Sequence, residues 1–546
     1  MKIIKFTMTY VLKYKIYLLI FILLNFVSRA LAIFFPYLTG NYIDILITAN
    51  DFQIVTKITL IIITIGIFNM VSSFAQRYLN VKIQTKAMID LNFDVLNHLL
   101  KMPIRYFENK NSGYLNHRIN NDSSVVVNFL LDNLLNIVSN ALTIIILFYI
   151  SFTINVKMTL ILIPVFPLYL FLYYIFRKPL YRRNYDLKEK QNIFFSKMNQ
   201  HLQNVNIVKI NATFTEAHEV ISNSFKSMFK SLLSHTKLSL LFTNSNSFTM
   251  LVANGLIFFF GGREVIRGNM SVGEFTIIKS YFSMIMGSIS YFLNFGESYQ
   301  KALVSYDRLK QILDESKEIN GNKKIFNISN IKLENVAFSY NKSEKIISNF
   351  NQKFKKGKVY CVIGSNGTGK STLIKLLLGI YNDYYDGKIH YDTNEIKNLD
   401  MYYIRKNFVG VCMQEPKTIN SKLIENFTYG LEQYNFDNLS LILNKLKLDP
   451  AKFDNGLETI IDEASNNISG GEKLKINLAR NFLKSPELLV LDEPSSALDV
   501  ESVDKLKDLI VETKLSRITI IISHDHDFIN IADEVIDLNK HKRNDI

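Results

Sequence analysis

"KVYCVIGSNGTGKSTLIKLLLG", Lys358–Gly379, is the stretch from which the rest of the chain can be read. Apolar residues lead up to Gly364, the series Gly364–Ser371 has the spacing GxxxxGKS, and an amphipathic helix follows. Strand, loop and helix stand in the order that a phosphate cradle needs. Glycines at 364, 367 and 369 let the backbone curl so that its N–H groups, with those of Ser365, Asn366, Thr368 and Thr372, face phosphate oxygens. Lys370 brings positive charge to the β/γ-phosphates, and the Ser371 hydroxyl is placed to ligate Mg²⁺.

Three further stretches supply what such a cradle needs for chemistry. "PELLVLDEP", Pro486–Pro494, reads as a buried strand delivering Asp492 to a metal ion and Glu493 to the place where an attacking water is polarised. "TIIISHD", Thr519–Asp525, ends another buried strand at His524, whose imidazole could contact a γ-phosphate or orient the water. In "NNISGGEKLKINLAR", Asn466–Arg480, a second helix starts at Ser469, with Gly470 and Gly471 offering N–H groups and Glu472 at capping-box distance. It has no lysine of its own, so a phosphate bound there must be held mainly by another surface.

The chain has 546 residues, 48% of them hydrophobic, and a formal net charge of +14, enough length for more than one domain. Six segments nearly free of charge, near 16–37, 58–76, 133–156, 158–176, 238–262 and 275–295, are each long enough to cross the roughly 30 Å of hydrocarbon in a bilayer. Arg77, Lys82, Lys86, Lys101, Arg105, Lys110 and Arg118 lie between the second and third, whereas "TGNYIDILITANDFQIVT", Thr39–Thr56, has no lysine or arginine. That asymmetry places the amino terminus and the long loops in the cytoplasm, and it assigns the basic excess to a membrane with its lipid rather than to nucleic acid. The expected organisation is a helical membrane domain over residues 1–314 with cytoplasmic extensions, a linker over 315–330, and an α/β nucleotide-binding domain with a largely parallel sheet over 331–546. Cys361 and Cys412 sit in apolar runs without metal-ligand spacing and are read as structural. No cleavable signal peptide is expected, because the first apolar stretch runs on too long.

These motifs together resemble the ABC transporter superfamily, and specifically its exporter-type half-transporters, over nearly the whole chain. "GSNGTGKS" is similar to the Walker A motif, "LLVLDEP" to Walker B, "ISGGE" to the family signature and "SALD", Ser496–Asp499, to the D-loop. Gln414 in "CMQEP" matches the glutamine that joins Ser371 and Asp492 at the metal and takes part in catalysis beside Glu493 and His524. Tyr340 in "VAFSY" matches the aromatic that stacks on adenine. The resemblance implies ATP and Mg²⁺ as cofactors. It also implies a dimer in which the Ser469–Gly471 signature and Asp499 serve the nucleotide held by the partner's Walker A loop, most simply a homodimer. "LKMPIRYFENKNSGYLNHRINND", Leu100–Asp122, and "HLQNVNIVKINATFTEAHE", His201–Glu219, are similar to the segments around the two coupling helices.

Departures from the family pattern are Glu472 in place of the usual glutamine and Ala464 in place of the arginine beside Glu463. The expected function is ATP-driven export of a hydrophobic or amphipathic substrate, with a peptide first, across a bacterial cytoplasmic membrane by alternating access. A lipid or multidrug exporter of the same fold is the alternative, as is a regulatory membrane protein using ATP only as a switch. Glu493 favours turnover over the switch. Arg29, a lone charge in the first apolar segment, is expected to face a cavity or a polar partner.

Overall fold

The computed structural model describes residues 2–48, 52–108, 112–340, 345–462 and 467–541. Glu463 and Ala464, and Lys110, lie outside the described residues. Compactness divides the chain into two units, one of residues 1–97 and 113–313, the other of residues 98–112 and 314–546. The segment 98–112, counted with the membrane half on sequence grounds, thus clusters with the second unit.

The first unit is built of long helices: α1 Lys15–Thr48, α2 Phe52–Leu99, α3 Ser123–Ile154, α4 Val165–Gln203, α5 Phe214–Leu256 and α6 Val272–Leu313. At 1.5 Å per residue about 20 residues cross the hydrocarbon, so helices of 32 to 48 residues run well past it. Among the described residues five helical segments, those containing α1 to α5, are long and apolar enough to span a membrane. The sixth expected segment lies inside α6, which is helical throughout. Lys279, Ser280, Tyr281, Ser283, Ser288 and Tyr291 dilute its apolar character, and it falls outside that group. Some of these hydroxyls pair with other helices: Tyr281 donates to the Ile33 carbonyl at 3.0 Å and Tyr291 to Asn133 Oδ1 at 3.0 Å.

Polar side chains inside such helices are stable only when paired. Gln76 on α2 donates to the Leu24 carbonyl at 2.8 Å and to Ser28 Oγ at 2.6 Å, and Ser28 and Ser72 hydroxyls are 2.8 Å apart. Arg29, one residue from this group, is half-buried and has no hydrogen bond or ion pair among the described residues. Between α3 and the short helix Val156–Leu162 the chain turns on Asn155 alone, whose Oδ1 accepts from Met158 N at 3.0 Å.

Near one end of α1 and α6 the two backbones nearly touch. A Cβ on Gly273 would stand 2.1 Å from the Gly40 carbonyl oxygen, and one on Gly40 would stand 2.7 Å from the Gly273 carbonyl. Ser271 caps α6: it accepts from Glu274 N at 2.9 Å while Glu274 Oε2 accepts from Ser271 N at 2.8 Å, a capping box. Asp44 of α1 completes the joint, accepting from Gly273 N at 2.7 Å and from the Ser271 hydroxyl at 2.5 Å.

In the second unit two sheets form. Strands β1 Asn330–Phe338, β2 Ile347–Lys355, β4 Tyr385–Tyr391 and β5 Asn394–Glu395 make an antiparallel sheet in the order β2-β1-β4-β5. Strands β3 Val359–Ile363, β6 Val409–Cys412, β7 Leu488–Asp492, β8 Ile518–Ile522 and β9 Glu534–Asp537 make an all-parallel sheet in the order β6-β7-β8-β3-β9. The inner strands β3, β7 and β8 are buried along nearly their whole length, as expected where both faces are covered, while the edge strand β9 is buried only at Ile536. The antiparallel sheet was not foreseen as a separate layer; β1 and β2 mix buried and exposed residues, the pattern of strands with one wet face. Cys361 and Cys412 are both buried and unpaired. Burial pushes their thiols up to about 11 and about 12, so neither is a nucleophile at neutral pH.

The α1–α6 crossing generates a stability prediction. Gly273→Ala forces the backbones apart, and overpacking of this kind costs about 1–3 kcal/mol, so the melting temperature of the purified protein in detergent should fall by several degrees. Gly66→Ala, where an added methyl meets nothing within 4 Å, should leave it unchanged or raise it.

Candidate nucleotide site

In a parallel sheet the carboxyl ends of the strands share one edge, and ligands bind in the crevice outside it. Here β3 ends at Ile363 and runs into Gly364, β6 ends at Cys412 two residues before Gln414, β7 ends on Asp492, and β8 ends at Ile522 two residues before His524. The parallel register sets Val362 and Asp492 on either side of Ile522 in one row. Residues scattered over more than 160 positions of sequence are thereby brought to one edge.

The loop between β3 and the helix α7 Lys370–Leu377 is held by its own backbone. Gly367 and Gly369 have φ of 82° and 94°, the left-handed region, and a Cβ on Gly369 would press on Ile346 at 2.8 Å. Thr368 closes the turn on the Ser365 carbonyl through both N–H, at 3.3 Å, and hydroxyl, at 2.9 Å. Lys370 Nζ donates to the Gly364 carbonyl and lies 2.8 Å from His524 Nε2. An ammonium can only donate, so His524 accepts on Nε2 and carries its proton on Nδ1. Ser365, Asn366, Gly367 and Ser371 are exposed, and Thr372 is buried behind them. Asn539, just past β9, accepts from Ser365 N at 3.1 Å and from Ser365 Oγ at 2.9 Å. Sequence reading passed over this brace; its only signal is a polar residue closely following a strand that ends beside the loop.

Asp492 is 5% exposed. Burial pushes its carboxyl up to about 6, the neighbouring Glu493 charge adds to the rise, and Lys370 opposes it. Glu493 has φ of 52°, rare for a residue with a side chain, and its N–H is tied to the Ile522 carbonyl at 2.8 Å. Strain of that kind costs of order 1–3 kcal/mol and collects at functional sites. Gln414 is exposed. The Tyr340 hydroxyl lies 3.0 Å from Thr372 Oγ1, and its ring meets Phe338 and Tyr381 edge-on, at 5.0 and 5.9 Å between centroids.

The remaining sequence-derived residues form a separate group. Ser469 caps the helix α8 Gly470–Lys484 in a full capping box: its hydroxyl accepts from Glu472 N at 3.2 Å, while Glu472 Oε2 accepts from Ser469 N at 2.7 Å and from its hydroxyl at 2.8 Å. A carboxylate serves this box as well as an amide does, which accounts locally for Glu472. A Cβ on Gly471 would stand 2.7 Å from the Ala497 carbonyl, so the start of α8 packs on the Ser496–Asp499 segment. Asp499 caps the helix α9 Val500–Thr513, accepting from Ser502 N at 2.8 Å, and pairs with Lys475 at 3.5 Å. The hydrogen bonds from Ser502 hold its carboxyl down at about 2. Among the described residues no hydrogen bond or ion pair joins this group to the phosphate loop.

Among the described residues no three His, Cys, Asp or Glu side chains could hold a metal by themselves. The oxygen donors Ser371, Asp492 and Gln414 nonetheless fit a hard cation of the Mg²⁺ kind, which usually takes only one or two protein ligands and shares the substrate's phosphates. The raised Asp492 carboxyl fits as well, since a cation would favour its charged form.

A phosphate-loop ATPase fused to a helical membrane unit is thus defined. Residues 18–289 match the family described as ABC transporter transmembrane region, and residues 347–496 match the family described as ABC transporter. The chain belongs to the ABC transporter superfamily, with both domains in one polypeptide. It is 26% identical over 517 residues to ABC transporter B family member 1 of Dictyostelium discoideum, covering 93% of this chain but 56%, about half, of that relative's length. It is also 26% identical over 566 residues to YgaD of Bacillus subtilis, whose name describes multidrug export by an ATP-binding/permease protein, covering 98% of this chain and 94% of that one. Among solved structures it matches a bacterial Atm1-family ABC exporter with ATP bound, with a TM-score of 0.80 and 18% identity over 96% of this chain and 94% of that one. The fold is that of an ABC exporter, ATP hydrolysis is coupled to transport, and the half-transporter architecture implies a second half.

Asp492 generates a pH prediction for protein in EDTA without nucleotide. Its folded value, near 6, lies above the unfolded value of about 3.9. Its contribution to stability is present below the unfolded value and is lost as pH rises through about 6. Asp492→Asn should therefore melt at a higher temperature than the parent at pH 7.5, by roughly 1–3 kcal/mol in stability, and the gap should close as the pH falls to about 4 in a thermal-melt series.

Proposed function

We propose that the protein exports a hydrophobic or amphipathic cargo across the cytoplasmic membrane as a homodimer, by alternating access, with its ATP-binding domains in the cytoplasm. The observation that carries the ATP chemistry is the convergence of the phosphate loop, Gln414, Asp492, Glu493 and His524 on the carboxyl edge of one parallel sheet. In each site Gly364–Thr372 of one protomer would cradle the phosphates, Lys370 would neutralise β/γ charge, and Tyr340 would meet the adenine. Ser371, Asp492 and Gln414 would hold Mg²⁺, which when bound offsets phosphate charge. Glu493 would polarise the attacking water while His524 steadies the γ-phosphate end. The other protomer would close the site with the exposed Ser469 and Gly470 and with Gly471 at the positive end of α8. Every part that one such site needs is present in this chain, which supports the homodimer.

For cargo the first reading is a hydrophobic peptide; the apolar, aromatic-rich helices suit it and membrane lipid alike. A second reading, a multidrug or lipid substrate, is favoured by the name of the Bacillus subtilis relative.

Glu493→Gln keeps the side-chain shape and removes the charge. ATP binding should persist while steady-state hydrolysis falls about 10²-fold; near-normal turnover would remove Glu493 from the chemistry. Lys370→Ala should weaken nucleotide binding itself. The purified protein alone should hydrolyse ATP, and activity that needs a second gene product would overturn the homodimer. Uptake into inside-out vesicles across a panel of peptides, lipids and cationic dyes chooses the cargo: uptake of dyes or lipids without any peptide replaces the first reading with the second.

A further inference from the structure

Segment 98–112 carries a short helix, Arg105–Glu108, whose charged residues enter the second unit. The segment is anchored at its base, where Glu318 N donates to the Lys101 carbonyl at 2.8 Å. The Arg105 guanidinium lies over the Tyr384 ring at 5.2 Å and donates to the Tyr340 carbonyl. Glu108 Oε1 accepts from Lys375 Nζ, on the phosphate-loop helix, at 3.0 Å and from the Tyr381 hydroxyl at 2.8 Å. Tyr381 is 1% exposed and stacks on Phe338 at 4.8 Å. Its oxygen lies 3.5 Å from that of Tyr340, which in turn lies 3.0 Å from Thr372 Oγ1. Burial alone would raise the Glu108 carboxyl, but the hydrogen bonds from Tyr381 and Lys375, with the charges of Lys375 and Arg105, bring it below the usual range, so it is an anion at neutral pH.

An anionic end gives this row of hydroxyls a direction. A carboxylate can only accept, and Tyr381 has one proton, so Tyr381 donates to Glu108, while its oxygen accepts from Lys375 Nζ at 3.1 Å and, on its second lone pair, from Tyr340 at 3.5 Å. Tyr340, its proton turned that way, accepts from Thr372. Each donation strengthens the next. The backbone carbonyl and the hydroxyl of Tyr340 are therefore both held by way of one short helix, by Arg105 directly and by Glu108 through Tyr381.

We propose that Glu108 is a positioning residue for the nucleotide: through the Tyr381 hydroxyl it fixes Tyr340 beside Thr372, so that displacement of the 98–112 segment changes the affinity for ATP. This deepens the proposed function and rests on its reading of Tyr340 as the aromatic that meets adenine. The link runs both ways, since a nucleotide that shifts Tyr340 must disturb the hydrogen bonds of Glu108 by the same free energy.

The test is steady-state ATP hydrolysis by the purified full-length protein. Glu108→Ala removes the acceptor, Glu108→Gln keeps an acceptor without the charge, and Tyr381→Phe keeps the stacked ring without the hydroxyl. Glu108→Ala and Tyr381→Phe should each raise KM for ATP about 3- to 10-fold with kcat within about 2-fold, the scale of one buried hydrogen bond. Glu108→Gln should fall between parent and Ala. The double variant Glu108→Ala/Tyr381→Phe should raise KM no further than either single change, because the two act in one chain. Partial misfolding lowers kcat through the active fraction and leaves KM alone, so the KM effect separates positioning from mere structural support. If Glu108→Ala does not fold, Tyr381→Phe decides. Unchanged KM in these variants while Tyr340→Ala raises it overturns the proposal and leaves the adenine reading standing. Unchanged KM in Tyr340→Ala overturns the adenine reading, and the proposal with it.

Discussion

Parallel pairing of β8 with β7 on one side and β3 on the other is the constraint on which the catalytic half depends. Once Ile522 sits between Val362 and Asp492, the residues that follow each strand must emerge side by side. No loop has to reach for its neighbour. The phosphate loop, the Asp492–Glu493 pair and His524 owe their proximity to backbone hydrogen bonds deep in a dry sheet, where slipping by one residue would turn every buried side chain to the opposite face. The register is protected by the burial of the strands, and the chemistry borrows that protection.

At the edge of the sheet the balance reverses, and local stability is given up. A buried carboxylate at Asp492 and a left-handed backbone at Glu493 each work against folding, and they are adjacent. Lys370 is the cation that opposes the rise in the Asp492 carboxyl. With Asp492 and Glu493 adjacent and the first of them buried, added positive charge would be favoured there, as a metal ion would supply. Rigid surroundings make this tolerable: the phosphate loop is tied by Thr368 internally and by Asn539 from outside.

The catalytic parts were legible because each depends on a short run whose chemistry is local. Glycines at fixed spacing, Asp-Glu after an apolar strand and Ser469 with Glu472 three residues on can each be read within a dozen positions. The helical first unit was legible for the same reason, since spans are a property of continuous composition. What escaped were features that exist only between distant segments. Asn539 meets Ser365 across 174 positions and Glu108 meets Tyr381 across 273, and nothing near either residue announces the other. The antiparallel layer escaped because β1 must wait for β4, some 50 residues later, to complete its pairing. The segment 275–295 was legible as a helix; what its composition did not show is where its hydroxyls go, and two of its tyrosines are spent on groups of other helices.

The meeting of Gly40 with Gly273 sets the kinematics of α1 and α6. With no side chain between them the two backbones are in contact, and the bulk of Ile277 on one side and the Asp44 carboxylate on the other act as stops. Sliding either helix along its axis by even one residue would drive a side chain into a backbone. Tilting about the point of contact must stretch the second tie between the same helices, the hydrogen bond from Tyr281 to the Ile33 carbonyl. The pair is pinned at one place by backbone on backbone and at another by a tyrosine hydroxyl, and the absence of two methyl groups is what lets the first pin close.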